Sequence, residues 1–252
     1  MATKKQTSAD LKVRDLSKTF HTGKKALHVL RDVSLDVEAG SITCVVGKSG
    51  CGKSTFLRIV AGLETDFSGT LSLGGQPLKG PGRDRGVVFQ EPRLLPWLTV
   101  EKNIAFALKG LTKFATKRRV MSCLKRIGLT KSARSYPHEL SGGMAQRVAI
   151  ARGLANEPKV LLLDEPFGAL DALTRIQMQQ EILKLWQALR PTMILVTHDI
   201  DEAIFLGDKI VVMSAGTETI RKKVSVKLPR PRDRTSPGFM SIRKEILAEF
   251  FD

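Results

Sequence analysis

The segment Gly47-Lys48-Ser49-Gly50-Cys51-Gly52-Lys53-Ser54-Thr55 follows the apolar run Ile42-Thr43-Cys44-Val45-Val46 and precedes Phe56-Leu57-Arg58-Ile59-Val60-Ala61-Gly62. The first flank reads as a buried strand and the second as a helix. Gly47, Gly52, Lys53 and Ser54 fill the pattern G-x-x-x-x-G-K-[ST], in the strand–turn–helix context that a phosphate-binding loop requires. The chemistry is local. Glycines let successive backbone N–H groups curl into a concavity for anions, and the new helix adds its positive N-terminus. Lys53 supplies a point charge for β- and γ-phosphates, and Ser54 supplies a hydroxyl for Mg²⁺. Cys51, beside Lys53 and a helix start, is expected to favour its thiolate and to react with alkylating reagents.

Working outward, the 252 residues suit one large domain or a domain with a subdomain, and 42% hydrophobic content supplies a core. No run approaches the roughly 18 apolar residues of a membrane span. Met1 to Asp10 lacks an apolar secretory segment, so a cytosolic protein is expected. Cys44, Cys51 and Cys123 show no metal spacing and no disulfide framework. Forty-one Lys and Arg against 25 Asp and Glu give a net charge of +16. That charge suits nucleic acid, the anionic face of a membrane or a solvated surface. The cations lack the interleaved aromatics of a base-stacking platform.

Along the chain, residues 1–10 read as a disordered start. Leu11 to Leu16 alternates as a strand, with Phe20 after it and a turn over 21–25. Val33, Leu35 and Val37 form a second half-buried strand, and Thr70 to Leu73 another. Strands with one polar face imply an antiparallel sheet beside a parallel core. Gly86 to Phe89 is a short strand ending at Gln90. Residues 91 to about 145 read as a helical subdomain. Within it Lys117 to Ile127 is a basic amphipathic helix with Val120, Met121, Leu124 and Ile127 inward. Buried strands Val160–Leu163, Met193–Val196 and Ile210–Met213 alternate with helices 142–156, 172–189 and 199–206, the mark of a parallel α/β sheet. Residues 216–252 form a basic extension that closes with a helix over Ser241 to Phe251, Ile242, Ile246, Leu247 and Phe250 on one face.

Ligands of open α/β sheets sit beyond the carboxyl ends of the strands. Three such ends carry polar groups: the loop after Val46, Asp164-Glu165 after Leu163, and His198 after Val196. An apolar run ending in Asp suits a carboxylate that holds Mg²⁺. Glu165 is placed to orient or deprotonate an attacking water.

Leu140-Ser141-Gly142-Gly143-Met144-Ala145-Gln146 resembles the signature motif of ABC ATPases. Asp164-Glu165-Pro166-Phe167-Gly168-Ala169-Leu170-Asp171 is similar to the family's Walker B and D-loop segment. The order of motifs matches from Leu11 to Met213. The resemblance implies a P-loop NTPase (RecA-like) parallel core with an antiparallel β subdomain and a helical subdomain, the ABC domain spanning 11–215. It implies ATP held by Gly47, Lys48, Ser49, Gly50, Cys51, Gly52, Lys53, Ser54 and Thr55, with Phe20 stacked on adenine. Mg²⁺ would be held by Ser54, Gln90 and Asp164. Glu165, His198, Gln90 and Lys53 would be catalytic, Gln90 as the Q-loop glutamine and His198 as the switch histidine. Ser141, Gly142, Gly143, Gln146 and Asp171 would act across a homodimer, the signature of one copy covering the γ-phosphate bound by the other.

A single loop and a single signature imply a half-unit that works with separate transmembrane permease subunits and, indirectly, a periplasmic or lipid-anchored solute-binding protein. Its expected place is the cytoplasmic face of the inner membrane, as a peripheral subunit. Gln90 to Val100 and Leu228 to Arg234 resemble the nitrate/sulfonate/taurine importer group, with Trp97 and Leu98 as candidate permease contacts. The rival reading is a soluble ABC-type ATPase acting on nucleic acid or ribosomes, a class that uses tandem domains or long coiled-coil insertions. Nucleic acid is not the expected partner. A P-loop kinase is disfavoured by the signature segment.

Overall fold

The computed structural model describes residues 8–23, 25–216 and 218–251. In chain order the strands and helices are β1 (Leu11–Thr22), β2 (Lys25–Val37), β3 (Ile42–Gly47), α1 (Lys53–Ala61), β4 (Ser68–Leu73), β5 (Gln76–Pro77), β6 (Arg85–Val88), α2 (Val100–Phe106), α3 (Lys113–Arg126), α4 (Gly142–Leu154), β7 (Val160–Asp164), α5 (Ala172–Leu189), β8 (Thr192–Thr197), α6 (Ile200–Leu206), β9 (Lys209–Met213), β10 (Ile220–Ser225) and α7 (Pro237–Phe251). They form an α/β fold with parallel strands, a separate antiparallel sheet and a helical layer. Two compact units divide them, one spanning Arg83–Pro191 and the other holding Ser8–Gly82 with the chain from Thr192 onward.

The second unit contains the antiparallel sheet β2-β1-β4-β5 and the parallel trio in which β3 lies between β8 and β9. β3 and β8 are buried at every position, as strands covered on both faces must be. β10 adds antiparallel to β9, pairing Val224 with Ile210, so part of the basic extension completes a sheet edge. β1 extends through Phe20 to Thr22 and β2 starts at Lys25, beyond the strand limits expected from alternation. The reason is solvent: the first four residues of β2 are exposed, so no buried face imposes an alternating pattern there.

The expected disordered start is also corrected at its end. Residues 1–7 lie outside the described residues, but Ala9 is buried and its carbonyl accepts a 2.8 Å hydrogen bond from Thr192 Oγ1. The Asp10 carbonyl accepts one from the Gly74 N–H at 2.8 Å.

In the unit Arg83–Pro191, β6 and β7 are parallel, with Val88 opposite Leu163. Helix α4 lies hard against β6, since a Cβ on Gly86 would sit 2.3 Å from the Gly153 carbonyl oxygen. Helices α2, α3 and α4 share a core built on Val100, Ile104, Leu124 and Val148. The stripe of α3 is Val120, Cys123 and Leu124, continued by Ile127 at its C-cap. Met121, expected inward, is 38% exposed, because one step around the helix from Val120 is about 100° away from that stripe. Leu124→Ala is expected to cost about 2–5 kcal/mol in urea unfolding, by cavity formation, and Met121→Ala less than about 0.5 kcal/mol.

Candidate phosphate-binding and catalytic site

Leaving β3, the chain turns at Gly47, where an added Cβ would meet the Met213 carbonyl oxygen at 2.5 Å and Cys51 Sγ at 2.6 Å. Gly52, at φ 101°, starts α1 and lies so close to Leu30 and the Val29 carbonyl that a side chain would collide with both. No side chain caps α1, so its first N–H groups remain directed into the loop. Lys53 is 6% exposed, and its ammonium donates to the Gly47 carbonyl at 2.8 Å and the Lys48 carbonyl at 3.1 Å. Among the described residues it has no carboxylate partner. A buried cation facing only carbonyl dipoles, beside uncapped helical N–H groups, is matched to a polyanion such as a nucleotide triphosphate. Lys48, Ser49, Gly50 and Ser54 are exposed along the loop, and Thr55 is half-buried.

Cys51 departs from expectation. It is 2% exposed, and burial pushes its thiol up, against the opposing pull of the Lys53 charge. It therefore fills space beneath Gly47, and the loop's own fold removes it from solvent. Of this residue only the backbone remains available to a ligand.

In the Arg83–Pro191 unit, the buried strand β7 ends at half-buried Asp164. Glu165 follows with φ 43°, a left-handed conformation that is uncommon outside glycine and is held here by local structure. Part of that structure is the Gly168 N–H, which donates to the Glu165 carbonyl at 3.1 Å. Gly168 also leaves room for two side chains. A Cβ there would stand 3.1 Å from Gln90 Nε2 and 3.7 Å from Glu165 Oε2, so the amide and the carboxylate converge on one glycine. The structure thus brings together two of the four catalytic candidates, 75 positions apart in sequence, within one unit.

The signature segment opens α4. Ser141 is its N-cap, Oγ accepting from the Met144 N–H at 3.3 Å, and Gly142 is exposed. Gly143 is packed so that a Cβ would lie 2.9 Å from Thr174 Cγ2. Gln146, grouped with the nucleotide-binding residues from sequence, is 2% exposed, with no hydrogen-bond partner for its Nε2 among the described residues. Its place three residues after Gly143 and four before Ile150 puts it on the buried stripe of α4. Asp171 is exposed and caps α5 by accepting from the Thr174 N–H at 3.0 Å. Hydrogen bonds from Thr174 hold its carboxyl below the usual range.

His198 is exposed one residue past β8. Asp199 next to it caps α6, accepting from the Glu202 N–H at 3.0 Å. Phe20 is 37% exposed on β1, with Lys18 Nζ 4.6 Å from the ring centroid, so it is no core residue. Two contacts escaped the sequence. Lys48 Nζ donates to the Phe250 carbonyl at 3.0 Å, and Arg243 Nε stands 2.8 Å from Asp201 Oδ1. A backbone acceptor has no residue signature, and the partners lie far apart in the chain.

For the native chain at neutral pH, iodoacetamide is expected to leave Cys51 unmodified over a time in which the urea-unfolded chain is fully labelled. Peptide mass spectrometry reads both states, and stoichiometric native labelling would contradict the buried thiol.

Comparison with known proteins places these features. The family model for the ABC transporter matches residues 30–168. The chain is 50% identical to the aliphatic sulfonates import ATP-binding protein SsuB of Bacillus licheniformis, over 95% of this chain and 94% of that one. It is similar to a dimeric post-hydrolysis structure of the ATP-binding cassette MJ0796 bound to ADP and Pi, with TM-score 0.76 and 32% identity, covering 87% of this chain and all of that one. It is also similar to cbiO1 of Clostridium perfringens, part of the ABC transporter complex cbiONQ, with TM-score 0.78 and 27% identity, over 94% and 92% of the two chains. Kinship that runs through the glycine loop, the signature helix and the carboxylate-ended strand alike leaves one conclusion: the chain belongs to the ABC transporter family, as an ATP-hydrolysing ATP-binding cassette.

Proposed function

We propose that this cassette is the ATP-hydrolysing subunit of an importer for a small oxyanion-bearing solute, of the sulfonate, taurine or nitrate type. The observation that carries the ATP-dependent part is the buried Lys53 ammonium, held by two carbonyls in a glycine cradle without an acidic partner among the described residues. The name of the relative that shares half its residues supports sulfonates first among the solutes. That kinship also speaks against reading the +16 charge as a nucleic-acid surface.

Residue roles follow from chemistry. Gly47 to Thr55 surround the phosphates, Lys53 balances charge on the β- and γ-oxygens, and Phe20 offers an exposed π-face to adenine. Ser54, Asp164 and Gln90 are the candidate holders of Mg²⁺. Their donors are all oxygens, and among the described residues no group of three or more His, Cys, Asp or Glu forms a metal cage. Such a sparse oxygen set suits Mg²⁺, which keeps waters and shares its sphere with phosphate. When bound, Mg²⁺ supplies neutralisation of charge on the phosphate oxygens. Glu165 accepts a proton from, or orients, the attacking water, and the neighbouring Gln90 amide helps fix that water. His198 donates a hydrogen bond to the terminal phosphate.

Exposed Ser141 and Gly142, at the start of α4, fit a phosphate presented by a second copy. Asp171 sits at the copy–copy boundary, and nucleotide closes the pair. The dimeric form of the MJ0796 cassette supports that arrangement. No helix among the described residues is long and apolar enough to cross a membrane. The permease of this proposal is a separate chain, docked near exposed Trp97 at the cytoplasmic face, and a solute-binding protein delivers the cargo to it.

Three measurements test this reading. Glu165→Gln should bind ATP yet hydrolyse it at least about 100-fold more slowly, and should run as a dimer on sizing with ATP. A monomer that turns over at the parental rate contradicts the role. Lys53→Ala should abolish measurable ATP binding in calorimetry. Cells lacking this chain should lose uptake of a labelled alkanesulfonate, and retained uptake with lost taurine or nitrate uptake would reassign the solute.

A further inference from the structure

The basic extension lies outside the family model, yet it grips the segment that carries His198. Helix α6 begins two residues after His198 and is held at both ends. At its carboxyl end Arg232, buried on the strand-to-helix connection, donates through Nη1 to the Ile204 and Gly207 carbonyls at 2.5 and 2.6 Å. A cation at that terminus satisfies carbonyls that the helix leaves open and complements its dipole. Arg230 adds a 2.6 Å ion pair to Asp208. In the first turn of α6, Asp201 faces Arg243 of α7 at 2.8 Å, as an ion pair rather than an aligned hydrogen bond.

Helix α7 is itself anchored. Phe239 and Ile246 are fully buried, and Lys222 of β10 pairs with Glu245 at 3.3 Å and Glu249 at 3.1 Å. Its last turn reaches the phosphate-binding loop, where the Phe250 carbonyl accepts from Lys48. Lys48 there meets the negative end of a helix. Between these anchors, Arg243 and Leu247 join His198, Asp199, Ile200 and Asp201 in lining an open cleft of about 300 Å³.

We propose that α7 is a positioning element of the hydrolytic site, with Arg243 as a positioning residue that acts through Asp201 on the start of α6 and so on the imidazole of His198. The inference rests on the reading that His198 contacts the terminal phosphate. The pair is 42% exposed on both sides, so it contributes little to stability. Its consequence lies in geometry: α6 has only two turns, and without Arg243 its first turn loses the tie beside His198. A displacement of a catalytic group by an ångström is enough to slow a reaction strongly.

The test uses the full chain. Arg243→Ala should lower kcat for ATP hydrolysis about fivefold, with KM for ATP within about twofold of the parent and the thermal midpoint unchanged. Arg243→Lys, which keeps the cation, should restore at least about half of kcat. Adding Arg243→Ala to His198→Ala should lower the rate no further, because one acts through the other. A parental kcat for Arg243→Ala beside an impaired His198→Ala overturns the role of α7 and leaves the functional reading standing. So does a fall in kcat that tracks a fall in thermal midpoint. A parental rate for His198→Ala removes the functional role of the histidine and overturns this assignment with it.

Discussion

The buried ammonium of Lys53 is the constraint on which the rest depends. A charge removed from water without a counter-ion is costly, by several kcal/mol even after local relaxation. Two carbonyl dipoles, those of Gly47 and Lys48, offset only part of that cost. The loop keeps the arrangement because its flanks cannot yield. β3 is hydrogen-bonded on both sides, to β8 and β9, and the α1 face carrying Phe56, Leu57, Ile59 and Val60 is buried. A ligand that prefers the folded state stabilises it, so a bound polyanion would offset the remainder of that cost.

A second local cost sits at the carboxylate. Glu165 adopts a left-handed backbone, which for a non-glycine residue costs about 1–3 kcal/mol. The strain aims its side chain toward the point where Gln90 also ends, around a glycine that leaves room for both. The end of β7, fully buried until Asp164, is rigid enough to hold it. Both places share one device: a strained or only partly compensated group fixed at the end of a buried strand.

Much of this is legible in the amino-acid sequence alone. The glycine loop and the spans of α5 and of the buried strands follow from spacing and periodicity, which are local, and the order of the motifs follows from the family resemblance. The local pattern misleads where solvent or packing overrides it. Phe20 and the start of β2 lie on strand that water covers, so alternation did not mark it. Cys51 looked activated by its neighbour in sequence, yet burial beneath Gly47 outweighs the charge of Lys53. Gln146 belongs to the signature segment, but its register on α4 points inward.

The sequence by itself determined that a phosphate cradle follows a buried strand, that a carboxylate pair ends another, and which family shares them. Each of those features is a short run whose residue types dictate backbone shape and charge. Only the tertiary structure decided which distant groups come together: Gln90 and Glu165 around Gly168, Arg243 with Asp201, and Lys48 with a carbonyl of α7. Such pairings depend on where the chain returns after tens or hundreds of residues, and a backbone acceptor is the same atom at every position.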